Sequence, residues 1–238
     1  MVEFPLLALL GVALGAFGTL VGAGGGFLLV PILLLAYPDM PPATVTATSL
    51  LVVLANAGSG TVAYWRQGRI DLRTGVWFAA ATIPGAIAGA EIVRVIPRHL
   101  FDLTFAIVLA AIALWLVVSP AAGTAIREPL AGWGVVRRRI TDREGVTFTY
   151  GYRLWQGLAI SAVVGFVSSL LGIGGGIVHV PAMAIVLRFP VYIATATSHF
   201  VLALTALEAT AVHVADGTIA WNVTLADRKS TRLNSSHT

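Results

Sequence analysis

The sequence predicts an all-α polytopic membrane protein made of two inverted repeats, each starting with a helix pair broken at glycines. Three observations predict it. Of 238 residues, 57% are hydrophobic and 11% charged, against about 25% charged in a soluble domain that must wet its surface. The charges are also segregated: residues 4–37, 43–65, 74–90, 103–126 and 154–187 hold no Lys, Arg, Asp or Glu. Apolar runs of about 18 or more residues cross a hydrocarbon core about 30 Å thick. Finally, GAFGTLVGAGGGFLLVP at 15–31 recurs as GFVSSLLGIGGGIVHVP at 165–181, with 8 of 17 positions identical, and TATS at 46–49 recurs at 195–198. Chance apolar similarity does not place GxGGG, Pro and TATS twice in one order.

The elements follow in order. Met1-Val2-Glu3 has no basic n-region, so no cleavable signal peptide is expected. Residues 4–37 would span about 51 Å as one helix, too long for one crossing and short of two. Glycine makes irregular backbone cheap, so this segment reads as two short helices hinged at Gly22–Gly26, with 155–187 as its counterpart. Residues 43–65, 72–92, 101–119 and 192–215 read as single crossings. The expected organisation is a first repeat at 1–120, a cytoplasmic linker loop at 121–153 and a second repeat at 154–226. On the repeat's own logic the second copy is C-terminally incomplete, and the polar run 227–238 is expected to be a non-native tail.

Arginines assign the sides. The connection at 66–73 carries Arg66, Arg69 and Arg73, and the linker carries Arg127, Arg137, Arg138, Arg139, Arg143 and Arg153. Two crossings separate these connections, so they share a side, which the positive-inside rule makes cytoplasmic. Arg94 and Arg98 lie opposite, with the 38–42 connection; residues 188–191 return to the cytoplasmic side. An odd number of passes then separates the copies, which inverts them, as in secondary transporters whose midplane site is made by broken helices.

Three groups of residues offer chemistry. The glycine runs Gly22, Gly24, Gly25, Gly26 and Gly172, Gly174, Gly175, Gly176 either let helices pack closely or present backbone N–H groups to an anion at half-helix N-termini. No strand precedes them and no Lys-Ser/Thr follows, which argues against a nucleotide loop. Ser49 and Asn56 share a helix face, as do Ser198 and Thr205, with Thr46 and Thr195 a turn away; interhelical hydrogen bonding is the plainer reading of such a stripe. Ionisable residues inside apolar segments are scarce: His179, His199, Glu208 and His213. An acid at mid-membrane costs about 2.5–3.5 kcal/mol on insertion scales, which marks Glu208 as a candidate for proton coupling. Glu91 reads as interfacial and the arginine-rich linker as a solvated loop.

Two GxGGG runs each followed by proline, an Ala-Thr-Ser triplet after each, and the YWRxGxID connection at 64–71 resemble the TauE/SafE-type sulfite exporter family, of the toluene-sulfonate uptake permease superfamily. The resemblance covers residues 4 to about 226 and departs where closing helices would follow. It implies an inner-membrane permease moving a small sulfur-containing or organic anion such as sulfite or a sulfonate. By motif it places the binding residues at Gly22, Gly24–Gly26, Pro31, Thr46–Ser49 and at Gly172, Gly174–Gly176, Pro181, Thr195–Ser198. Arginine is absent from the apolar segments, so helix ends or His199 would have to balance the anion's charge. The expected partners are the lipid bilayer, a small anion and a second copy of the chain, with no nucleic acid, metal or cofactor. A membrane enzyme is the weaker alternative, there being no HExxH; a non-transporting receptor would not need the duplication.

Overall fold

The computed structural model describes residues 24–118 and 134–215, together with Gly15 and Gly18. Gly22, most of the first half of the leading helix pair, residues 119–133 and the chain beyond 215 lie outside the described residues.

Helix α1 (Gly26–Ala36) follows Gly24 and Gly25, both in the left-handed region at φ 75° and 80°. Helix α2 (Pro42–Gln67) has proline in its first turn, where no intrahelical N–H is needed. It ends at left-handed Gly68, with Arg69 N–H closing back on Tyr64 O at 3.3 Å. Helix α3 (Leu72–Val95) is N-capped by Asp71, whose carboxylate accepts the Thr74 N–H. Helix α4 (Arg98–Val118) follows directly. Helix α5 (Leu154–Leu171) stops at left-handed Gly172, and after Gly174 and Gly175, again left-handed, α6 (Gly176–Pro181) runs into a π-helical stretch, Ala182–Val186. Helix α7 (Val191–Ala215) completes the described chain. Helices α2, α3, α4, α5 and α7 are each long and apolar enough to cross a membrane.

The glycines set how closely helices approach. A β-carbon at Gly89 would lie 2.5 Å from Phe166 O, and one at Gly85 or Gly165 would collide with Ala162 O or Thr82 O. Backbones of α3 and α5 therefore touch across a GxxxG-spaced seam (Gly85, Gly89), which the absence of side chains permits.

The connections sort to two ends of the bundle. Arg98 donates to Leu34 O, Pro38 O and Met40 O at 2.8–3.1 Å and pairs with Asp102, joining the 38–41 connection to the start of α4. At the other end, Arg69 pairs with Asp142 and Glu144, Arg143 N–H donates to Gln67 O, and the Tyr150 ring lies 4.5 Å from that of Phe189. The connections at 68–71, 134–153 and 188–190 thus meet at one end; the arginine count predicts this for the first two, and the return of the second helix pair for the third.

One element differs from the all-helical expectation. Within the linker, β1 (Val135–Thr141) and β2 (Thr147–Arg153) form an antiparallel hairpin, in register from Val135↔Arg153 to Thr141↔Thr147. Asp142 caps its turn by accepting Glu144 and Val146 N–H, and Gly145 supplies φ 83°. Two strands alone are marginal in water; these are held by docking. Tyr150 and Tyr152 are each 2% exposed, in one cluster with Phe78, Met183, Leu187, Phe189 and Ile193.

Candidate functional site

The two glycine turns meet. A β-carbon at Gly26 would lie 2.6 Å from Gly172 O and 2.9 Å from Ile173 C, so the backbone opening α1 rests on the break between α5 and α6. Positive φ at Gly24, Gly25, Gly172, Gly174 and Gly175 explains the residue type, since a side chain there is strained. Neither α1 nor α6 is capped by a side chain. Gly24 N–H donates to Gly18 O at 3.1 Å and Gly176 N–H to Gly174 O at 2.8 Å, while Leu28 and Val178 N–H close on Gly25 O and Gly175 O. This leaves the N–H groups of Gly25, Gly26, Gly174 and Gly175 without a backbone acceptor among the described residues. Both turns touch the same two side chains: Val53 of α2 and Leu202 of α7 each lie within 3.2 Å of a β-carbon built at Gly24 or Gly174. Val53 stands eleven residues after Pro42 and Leu202 eleven after Val191, which puts each about 17 Å along its helix, near half of a bilayer's thickness.

The predicted polar residues surround this crossing unevenly. Ser49 Oγ donates to Gly172 O at 2.6 Å and Thr46 Oγ1 to Leu170 O at 3.4 Å, so the first TATS motif tethers the break in the second pair. Ser198, the counterpart of Ser49, is fully buried and its hydroxyl has no hydrogen-bond partner among the described residues; it stands one turn before Leu202 on the same face. Ser168 is buried and unpartnered too, its Oγ 3.4 Å from a β-carbon at Gly175. Thr195 is half-buried, and its carbonyl contacts His199 Nδ1 at 3.3 Å; the His199 ring meets Tyr64 edge-on at 5.2 Å. Asn56 faces Gly15, with Oδ1 3.5 Å from a β-carbon there. Glu208 looks elsewhere, toward Thr82 of α3, whose hydroxyl donates to Ala79 O at 2.6 Å and is 2.9 Å from that of Thr205. His179 pairs with Ser161 at 3.3 Å under the hairpin.

The strongest polar constellation lies at the hairpin end, around a carboxylate with no exposed side-chain surface. Asp71 accepts from Arg138 Nη2 (2.6 Å) and Nε (2.9 Å), from Thr74 Oγ1 (2.6 Å) and from Tyr150 OH (2.7 Å), while Tyr152 OH meets Thr74 Oγ1 at 2.7 Å. Burial alone would push the Asp71 carboxyl up; the hydrogen bonds from Arg138, Thr74 and Tyr150 outweigh it and hold the group below its ordinary value of 3.8. Burial, reinforced by the Asp71 charge, pushes the Tyr150 phenol far up, so it stays a donor. A depressed carboxyl stabilises the docked hairpin fully above the unfolded value and loses that contribution as pH falls through the lower folded one. Near-UV circular dichroism of the tyrosines should therefore be flat from about pH 7 to 5 and decline only below about pH 4; a midpoint near neutrality would contradict this assignment.

The family model described as Sulfite exporter TauE/SafE matches residues 7–227. The chain belongs to the TauE/SafE family. Its relatives include the probable membrane transporter protein YunE of Bacillus subtilis strain 168, 34% identical over 94% of this chain and 83% of that protein. The probable membrane transporter protein MJ0441 of Methanocaldococcus jannaschii is 32% identical over 85% and 69%, and the probable membrane transporter protein ORF9 of a Sinorhizobium species 27% over 93% and 77%. No solved structure matches the chain. It is thus a membrane transporter of this family, and not an enzyme.

In this TauE/SafE chain, sequence reasoning missed the pair Val53 and Leu202, the hydroxyl of Ser168 and the whole Asp71 network. The repeat offset that aligns the TATS motifs also pairs residue 53 with 202, so the first could have been found. Asp71 was in view only as the last letter of YWRxGxID.

Proposed function

We propose that this chain is a multi-pass secondary permease of the inner (plasma) membrane that carries a small organic or sulfur-containing anion of the sulfite or sulfonate type. The observation that carries this reading is the meeting of two uncapped, left-handed glycine turns beside the buried, unpartnered hydroxyls of Ser198 and Ser168. Buried polar atoms without partners call for an explanation, and exposed helix N-termini favour anions. In this arrangement the N–H groups of Gly25, Gly26, Gly174 and Gly175 and the Ser198 hydroxyl bind the anion, while Gly24 and Gly176, whose N–H groups donate to Gly18 O and Gly174 O, shape the turns. Asn56, Thr195 and His199 line its surroundings, and Thr46 and Ser49 hold the second turn in place. Val53 and Leu202 cover both turns. The inverted duplication supplies two such turns of opposite direction, which suits a site reached alternately from either side. Glu208, which faces Thr82 of α3, is the proton-coupling carboxyl.

The test is uptake by proteoliposomes of labelled sulfite, sulfonates and carboxylates, with and without pH and Na⁺ gradients. Sulfite or a sulfonate is expected to accumulate. Ser198→Ala should lower uptake about tenfold, the value of one hydrogen bond to a charged group, with unchanged thermal stability because the hydroxyl has no partner among the described residues. Glu208→Gln should remove the response to a pH gradient. Movement of none of these anions, or full uptake by Ser198→Ala, would overturn the reading.

A further inference from the structure

The hairpin is bound far more firmly than a loop joining α4 to α5 requires. It inserts Tyr150 and Tyr152 between Phe78 of α3 and Phe189 after α6, with ring centroids 4.5–5.8 Å apart, and clasps Asp71 with both nitrogens on one side of the Arg138 guanidinium. Apolar packing alone would hold such an element, and buried ion pairs add little net stability over apolar residues of the same volume. What a charge pair adds is two states: it binds tightly when dry, and each partner is well hydrated when apart.

Two further observations converge on this end. The backbone N–H of Asp71 donates to Thr197 Oγ1 at 3.0 Å, and Thr197 sits inside the second TATS motif, beside Ser198 and His199. The residue that clasps the hairpin therefore also ties down, through its backbone, the turn of α7 that carries the unpartnered serine. Beneath the tyrosines, the chain leaves helical geometry: Ala182–Val186 is π-helical, with Met183 and Leu187 packed in the tyrosine cluster, and Arg188 is left-handed at φ 60°, the sole described non-glycine residue with positive φ. π-helical turns recur at functional sites, and strained backbone clusters at switch regions.

We propose that the hairpin Val135–Arg153 is a gate over the end of the bundle formed by α3, α6 and α7, latched by Asp71 and Arg138, whose release opens the Ser198 face of α7 to water on that side. The gate rests on the transport reading for its purpose, but not for its geometry. In the latched state Tyr150 and Tyr152 close the way in, and Asp71 holds Thr197. When Arg138 leaves, the hairpin swings out, the π-helical hinge relaxes, and the Asp71 connection no longer pins α7. Asp71 and Arg138 are positioning residues that act through Thr197 and the tyrosines, not groups that touch the anion.

The chain has no cysteine, so single thiols report cleanly. Ser198→Cys, in nanodiscs, is titrated with a small charged methanethiosulfonate reagent, with the latch intact and with Arg138→Ala or Arg138→Lys. Labelling is expected to be at least about tenfold faster with Arg138→Ala, and intermediate with Arg138→Lys, which keeps charge but loses the two-nitrogen clasp. In a second measurement, Phe148→Cys and Tyr192→Cys, whose parent rings are 6.4 Å apart, are joined by a short reducible bis-thiosulfonate linker. Tethering should arrest anion uptake, and reduction should restore it, which a merely structural contact would not do. Equal labelling rates in latched and unlatched protein, or full uptake by the tethered protein, would overturn the gate. Latch-dependent labelling in a protein that moves none of the anions would leave the gate standing and sink the transport reading; uptake with latch-independent labelling would do the reverse.

Discussion

Gly26→Ala is expected to cut anion uptake by at least about tenfold, whereas Gly58→Ala, within the neighbouring helix, should leave it intact. The contrast is geometric. Gly26 has no positive φ, so alanine suits its backbone, and only crowding distinguishes the two sites. The added methyl at 26 would lie 2.6 Å from Gly172 O, 2.8 Å from Val53 Cγ2 and 2.9 Å from Ile173 C, two of them backbone atoms that cannot rotate away. At 58 nothing lies within 4 Å. Overpacking of this kind costs about 1–3 kcal/mol, too little to unfold five packed helices. It falls entirely on the contact between the glycine turns, which must separate by several tenths of an ångström. A site formed by N–H groups from both turns does not tolerate that, since misplacement on the scale of an ångström costs orders of magnitude in function. Uptake by Gly26→Ala should thus drop by at least about tenfold while its melting temperature shifts by only a few degrees. Gly58→Ala should be neutral to slightly stabilising, alanine being the better helix former. Comparable uptake by the two variants would show that the glycine crossing is packing and nothing more.

Much of this architecture could be read from the chain because a bilayer imposes coarse rules. Apolar length identified the crossings, and the two GxGGG runs identified where helices break, since an interrupted helix in lipid needs both glycine and a protected setting. The arginine count grouped 66–73 with the linker, and a helix pair returning to the side it entered added 188–191; the contacts of Arg69 and Tyr150 bring these connections together. The hairpin was less legible. Thr147–Tyr152 alternates threonine with aromatic or small residues beside the Asp142–Gly145 turn, a strand signal, but six linker arginines read as a solvated loop. Arg138 is instead spent on a carboxylate 67 positions away, and no local pattern encodes a partner at that distance. Val53 and Leu202 were invisible for the opposite reason: inside apolar helices, one more apolar residue carries no contrast. Ser198 and Ser49 read as equivalent, yet one hydroxyl is engaged by Gly172 and the other is unpartnered, a difference that only packing decides.

Asp71→Ala should produce the largest loss of stability of any single polar substitution in the described chain. The side chain does three tasks at once. It caps α3 through Thr74 N–H, a role worth about 1 kcal/mol; it neutralises Arg138; and it accepts Tyr150 OH. Removing it leaves a guanidinium facing a space built for a carboxylate and a phenol with no acceptor in a buried cluster. Breaking a buried pair from one side costs about 3–5 kcal/mol, and the low end applies because the Arg138 side chain remains 24% exposed and can recover some water. The loss should be local first: tryptic cleavage after Arg137, Arg138 and Arg139 is expected at rates far above wild type, followed by a lowered melting temperature in detergent. Removing both partners relieves the stranded charge, so Asp71→Ala with Arg138→Ala should be less damaging than the two single losses added together. Glu144→Ala breaks a bridge to Arg69 whose acid is 71% exposed, and should change neither readout, as exposed pairs contribute little. If Asp71→Ala proved as mild as Glu144→Ala, the hairpin would be held by its tyrosines alone, and the charge pair would be incidental to the docking.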